Sequence, residues 1–127
     1  MTSKTRALSL WLPPVLWAAG IFYLSSIPGL QSGTEFDFIL RKGAHMTEYF
    51  VLTALLHRAF NGSFALGSVA RRLWPAAAAV AYAATDELHQ LFVADRHGSM
   101  LDVLIDAAGV AIFYFVLKLL GEKKSGA

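Results

Sequence analysis

The sequence predicts an all-α integral membrane bundle of four transmembrane helices with both termini in the cytoplasm. The evidence is the composition, the apolar segments and the uneven placement of the basic residues. Hydrophobic residues make up 56% of the 127 residues and charged residues 16%, against about 45–50% and about 25% in soluble domains. A soluble bundle this small would need more charge to cover its surface. The composition therefore favours lipid as solvent, and the length favours a single domain, 1–127.

The first apolar segment, 7–26, is the most uniform. It contains no charged residue over the 21 residues from Ala7 to Ile27. About 20 apolar residues span the hydrocarbon core of a bilayer, and this run is longer than the core of a signal peptide. We therefore expect a retained membrane helix. Pro13 and Pro14 lie inside it and are expected to kink or loosen it.

Three further segments are predicted to be helices, at 39–60, 73–93 and 100–120. The second is interrupted by charged and histidine side chains, and the third is rich in alanine before it turns polar at Asp86 and Glu87. The fourth has two aspartates near its start. None of the segments shows the alternating pattern of a half-buried strand, so the chain is predicted to be all-α.

Basic and acidic residues separate toward opposite ends of the predicted bundle. An even number of crossings places both termini and the central loop on one side, which then carries eight of the eleven Lys and Arg residues. The positive-inside rule assigns that side to the cytoplasm. Eight of the nine acidic residues fall in the outer half. The net charge of +2 is too small to indicate nucleic acid, and membrane lipids are the expected partners.

Helical spacing gathers the outer polar residues into stripes, because residues three or four apart share one helix face. A charged group near the bilayer centre costs roughly 2.5–3.5 kcal/mol, so these side chains cannot all face lipid. We expect the stripes to face each other, where their charges pair, take up protons or line a wetted pocket. The stripes are Lys42, His45, Tyr49 and Leu52 in the second helix, Tyr82, Asp86 and Gln90 bordered by Glu87 in the third, and Ser99, Asp102, Asp106 and Gly109 in the fourth.

Motifs between Phe22 and Gly109 keep a family-like order and spacing. They are Phe22-Tyr-Leu-Ser-Ser-Ile-Pro28, then Lys42-x-x-His45-x-x-x-Tyr49, then Asp86-Glu87-x-x-Gln90-x-x-x-x-x-Arg96-x-x-Ser99-x-x-Asp102-x-x-x-Asp106-x-x-Gly109. Together they resemble the VanZ-like family of small bacterial membrane proteins. Asp106 departs from the family pattern, which more often has Asn. The resemblance implies a multi-pass protein of the bacterial cytoplasmic (inner) membrane. The member that names the family is associated with lowered susceptibility to teicoplanin.

The outer polar residues are the candidate site. As catalytic groups we name Glu87, His45 and Asp86, which could act as a base or carry a proton. A cationic and polar set could bind an anion. The alternative is a structural ion-pair network in which Lys42 snorkels and Arg96 bridges acidic groups. Whether the chain is an enzyme stays open at this point. The anion-binding set is Lys42, Arg96, Tyr49, Gln90 and Asp102.

No metal and no cofactor are expected. His45, Glu48 and His89 are ligand types for a divalent ion, but no HExxH or comparable spacing is present. Glu48 and His89 also lie outside the polar stripes of their helices. Gly20 and Gly109 are expected to allow close helix packing rather than to contact a ligand.

The favoured function is an outward-facing site that binds or modifies an anionic envelope molecule, either a lipid-linked precursor or a cell-wall polymer. A small transporter or flippase is a second hypothesis, and it would require an oligomer. A structural or regulatory membrane subunit without catalysis is the third.

Overall fold

The computed structural model describes residues 2–26, 35–92 and 100–125, and the side chains of residues 2–26, 39–92 and 100–121. These residues form the helices α1 (Ser3–Ser25), α2 (Glu35–Ser63), α3 (Ala70–Gln90) and α4 (Met100–Ser125). No strand occurs in the described ranges. The all-α prediction and its helix number are therefore confirmed for this part of the chain.

The helices extend beyond the apolar segments at most ends. The helix α2 reaches Glu35 on one side and Ser63 on the other, because a helix does not end where its apolar run ends. The start of α1 is fixed by Thr2, whose side chain accepts a 3.1 Å hydrogen bond from the backbone N–H of Thr5. Such an N-cap satisfies a donor that the helix itself leaves open.

The two prolines of the first segment do not interrupt α1. The helix continues through both Pro13 and Pro14, and Pro14 is buried. Packing against a neighbouring helix tolerates such residues within an apolar helix.

The helices run antiparallel, and one end of the bundle collects basic side chains. Near the start of α1, Trp11 donates a 2.7 Å hydrogen bond from Nε1 to Oγ of Ser63 at the end of α2. Asn61, also near the end of α2, donates from Nδ2 to the backbone oxygen of Arg71 in the first turn of α3, at 3.1 Å. We call this end, which carries the exposed residues Lys4, Arg6, Arg58, Arg71 and Arg72, the basic end.

The opposite end of the bundle collects acidic side chains. At the end of α3, Gln90 donates a 3.3 Å hydrogen bond from Nε2 to Oγ of Ser25 at the end of α1. Near the starts of α2 and α4, Lys42 forms an ion pair with Asp102. We call this end the acidic end.

An apolar layer lies between the two ends. On α3 and α4 the layer adjoins the polar stripes, with Ala83 and Val110 about one turn from Asp86 and Asp106, and Tyr49 of α2 belongs to both. The helix α2 packs against each of the other helices and most extensively against α4. The layer consists of Ile21, Tyr49, Leu52, Ala79, Ala83 and Val110.

Gly109 marks the close approach of α2 and α4. A Cβ atom added at Gly109 would clash with the backbone carbonyl oxygen of Met46 and would lie 3.2 Å from the Met46 Cα. The expectation of close packing therefore holds for Gly109. It is wrong for Gly20, where an added Cβ meets nothing within 4 Å.

The outward faces of α1 and α4 are apolar. The segments Ser3–Ser25 and Met100–Gly121 are long and apolar enough to cross a membrane, and in each only 17% of the most apolar window is buried inside the bundle. Large side chains on these faces are exposed, including Leu16 at 61% and Phe115 at 62%. Contiguous apolar surface of this kind is rare on monomeric soluble proteins.

Candidate functional site

The polar stripes of α2, α3 and α4 meet inside the acidic end. Each stripe comes inward because its residues recur at three- and four-residue steps on the face that packs against the neighbouring helices. We call this group the polar cluster: Lys42, His45, Tyr49, Asp86, Glu87, Gln90, Asp102 and Asp106.

Two polar pairs connect α2 to α4 across the cluster. The Lys42 ammonium contacts Oδ1 of Asp102 at the rim, where the two side chains are 19% and 14% exposed. One turn deeper, Nδ1 of His45 lies 3.1 Å from Oδ1 of Asp106, whose side chain is fully buried. The two pairs lie one turn apart because His45 follows Lys42, and Asp106 follows Asp102, by three or four residues.

The helix α3 contributes the most deeply buried part of the cluster. Asp86, Glu87 and Gln90 are 2%, 4% and 4% exposed. The same face carries Ala83 one turn earlier and Ala79 two turns earlier, and both are fully buried. Small residues let helices approach closely, and this approach brings the α3 carboxyl groups within reach of the α2 and α4 stripes.

One ligand-type atom from each of His45, Glu87 and Asp106 lies within 4.8 Å of the others. The Tyr49 hydroxyl also lies close enough to Asp86 and Asp106 to interact electrostatically with both. The cluster is thus a single electrostatic unit formed by α2, α3 and α4.

Several buried oxygens in the cluster have no hydrogen-bond partner among the described residues. They are both carboxyl oxygens of Asp86, Oδ2 of Asp106 and the hydroxyl of Tyr49. Ser25 faces Asp86 and interacts with it, but not at the distance and angle of a hydrogen bond. A buried polar group without a partner costs about 1–3 kcal/mol. These atoms are therefore available to a ligand's donor or to a cation.

A model of the VanZ/LLP1 family matches residues 5–121, nearly the whole chain. The chain belongs to the VanZ/LLP1 family. This finding confirms the resemblance carried by the motifs of the polar stripes. No curated protein and no solved structure matches the chain. Family membership together with the two apolar helices indicates that this VanZ/LLP1 protein is a membrane protein.

All but one of the predicted site residues of this VanZ/LLP1 protein lie in the polar cluster. The exception, Arg96, falls outside the described residues, as does Ser99 of the fourth-helix stripe. His89 lies outside the cluster, as its helical position predicts. Its ring stacks on Phe22 with centroids 4.2 Å apart, and its Nε2 is 2.9 Å from Oγ of Ser26.

Asp106 belongs to the polar cluster and Ser25 lies against it, although neither is among the predicted site residues. A signal for Asp106 was present, because it follows Asp102 by one helical turn on the same stripe. Ser25 had no comparable signal. Its position depends on how the end of α1 docks against α3, which no periodicity within α1 reveals.

Proposed function

We propose that this protein crosses the bacterial inner membrane with all of its four described helices. Both termini would then be cytoplasmic. The antiparallel arrangement supports this topology, because it places the start of α1 and the α2–α3 connection at the basic end with the exposed arginines. Positive residues favour the cytoplasmic side. The acidic end and the polar cluster would then face outward.

We further propose that the polar cluster binds an anionic envelope molecule, such as a lipid-linked precursor or a cell-wall polymer. The observation that carries this proposal is the convergence of three helices' polar stripes on one buried cluster that contains carboxyl and hydroxyl oxygens without hydrogen-bond partners. Lys42 lies at the rim of the cluster and is partly exposed. Together with Arg96, it is proposed to hold the anion by charge-assisted hydrogen bonds.

Deeper in the cluster, His45 and Glu87 are proposed to move a proton or to orient the bound molecule. The contact with Asp106 fixes the orientation of the His45 ring and selects the tautomer. A positioned imidazole beside a carboxyl group is the usual arrangement for general acid–base chemistry. Asp86 would serve as a further acceptor, because both of its oxygens lack a hydrogen-bond partner among the described side chains.

The naming member of the family is associated with lowered susceptibility to teicoplanin, and we propose the same effect for this protein. The test is teicoplanin susceptibility in bacteria that express the wild type or single variants at equal membrane abundance. Glu87→Gln removes a charge from the cluster, and Arg96→Ala removes the proposed anion contact. Glu122→Gln and Arg72→Ala are matched controls, since both residues lie near the basic-end termini of their helices. We expect both site variants to return susceptibility to that of cells without the protein and both controls to keep the wild-type level. Wild-type susceptibility in both site variants would contradict the proposed site.

A structural role is the second candidate, and the pairs Lys42–Asp102 and His45–Asp106 favour it because they join α2 to α4. In that case the site variants would lower the thermal stability of the purified protein and its membrane abundance together. If the site variants no longer lower teicoplanin susceptibility but keep the wild-type melting temperature, the binding function is separated from the structural one.

A transporter or flippase finds less support. Such a protein needs polar groups that continue across the bilayer. Instead, the apolar layer, including Ile21, Leu52 and Ala83, lies between the polar cluster and the basic end.

A further inference from the structure

Three potential metal ligands from three helices converge in the polar cluster. They are His45 on α2, Glu87 on α3 and Asp106 on α4, and one ligand atom from each lies within 4.8 Å of the other two. Ligand atoms placed about 2.0–2.2 Å from a tetrahedral zinc ion are themselves about 3.4 Å apart. Zinc binding therefore requires these atoms to move closer by up to about 1.4 Å. We propose that these three residues bind one divalent transition-metal ion.

The donor set fits such an ion. One imidazole nitrogen and two carboxylate oxygens suit zinc or manganese, and the two carboxylate charges balance the charge of the ion. Three protein ligands leave a coordination position open for water or for an oxygen of a bound anion. The sequence offered no metal-binding motif because each ligand lies on a different helix, and only packing brings them together.

A second observation points independently to a cation. The Asp106 side chain is fully buried, and its Oδ2 has no hydrogen-bond partner among the described residues. Asp86 is 2% exposed, and both of its carboxyl oxygens also lack a hydrogen-bond partner among the described residues. Buried carboxyl groups are normally hydrogen-bonded, paired or bound to metal. A divalent ion at His45, Glu87 and Asp106 would give the Oδ2 atom of Asp106 a partner.

Lys42 lies at the rim of the cluster, where its ammonium group contacts Asp102. From there it also attracts the carboxyl groups of Glu87 and Asp106. The inference goes beyond the proposed function and does not depend on it, because metal binding is measured without any envelope molecule.

The experiment uses the full-length protein, purified in detergent through an affinity tag that contains no histidine and stripped with a chelator. Equilibrium dialysis against zinc ions, followed by elemental analysis, gives the stoichiometry and the affinity. Asp106→Asn and Glu87→Gln each remove one ligand charge with little change in shape. Asp102→Asn is the control, since it removes a carboxylate of the same α4 stripe, one turn nearer the rim, that is not one of the three ligands.

We expect the wild type to bind one equivalent of zinc and to melt at a higher temperature in its presence. Both ligand variants should bind at least about tenfold more weakly, whereas Asp102→Asn should stay within about threefold of the wild type. Absence of zinc binding by the folded wild type would overturn the proposal, whatever the variants do. An equal loss in Asp102→Asn would also overturn it, because the effect would then reflect general negative charge. If a ligand variant does not fold, the other variant and the wild-type melting shift decide.

Discussion

The close approach of α2 and α4 at Gly109 gives a sharp test of the packing. In Gly109→Ala, the new Cβ would overlap the backbone carbonyl oxygen of Met46 and lie 3.2 Å from its Cα. Both obstructing groups belong to the backbone and cannot rotate away. The two helices must therefore separate locally by on the order of 1 Å, and close-packed interiors resist such a change.

The expected cost follows from two opposing effects. Overpacking in a well-packed core typically costs 1–3 kcal/mol, whereas alanine is favoured over glycine within a helix by about 0.8–1.0 kcal/mol. We therefore expect a net destabilisation of up to about 2 kcal/mol, which for a chain of this size lowers Tm by up to about 8 °C. Separation of the helices would also lengthen the 3.1 Å contact between His45 and Asp106.

Thermal unfolding of the purified protein, followed by circular dichroism, measures this effect. Gly20→Ala is the matched control, because an added Cβ at Gly20 meets nothing within 4 Å. It should leave Tm unchanged or raise it slightly through the better helix propensity of alanine. Equal melting temperatures for Gly109→Ala and Gly20→Ala would refute the packing argument.

Three further outcomes can be measured by the same unfolding assay. Gly62→Ala should cost less than Gly109→Ala, because its nearest contact, at 2.8 Å, is the flexible end of a leucine side chain. Tyr82→Phe should lower stability by about 0.5–1.5 kcal/mol, since it removes the 2.5 Å hydrogen bond from the Tyr82 hydroxyl to the backbone oxygen of Ala18; an unchanged Tm would contradict that bond. Lys42→Met should destabilise by leaving Asp102 without its ammonium partner, and the double variant Lys42→Met/Asp102→Leu should recover much of the loss; additive losses would contradict the pairing.

Most of the helical architecture could be predicted because it depends on local patterns. Apolar runs of about 20 residues identify membrane-length helices, and three- and four-residue steps identify the stripe that turns inward. The bounds were less accurate, since α2 extends from Glu35 to Ser63 through polar residues that an apolar run does not include. The helix α1 continues through Pro13 and Pro14, because a neighbouring helix that packs against α1 tolerates them.

The sequence predicts which residues form the candidate site but not which of them contact each other. Spacing identifies Lys42, His45, Asp86 and Glu87 as inward-facing, yet it cannot choose their partners on other helices. That choice depends on the axial register of the helices, which Gly109 and its contact with α2 help to set. The expectation that no metal binds rests on the lack of regularly spaced ligands along the sequence, and such spacing does not reveal ligands that lie on three different helices.

The electrostatic balance of the polar cluster argues for a bound partner over a purely structural network. Its described residues include four carboxyl groups, from Asp86, Glu87, Asp102 and Asp106, beside one lysine and one histidine. A buried ion pair contributes little net stability even when it is complete, and buried carboxyl oxygens without partners add a cost. A bundle selected only for stability would gain from apolar residues of similar volume at Asp86 and Asp106. The oxygens of Asp86 and Asp106 lie where three helices meet, and there they could bind a cation that in turn binds an anion. This arrangement supports the proposed binding site.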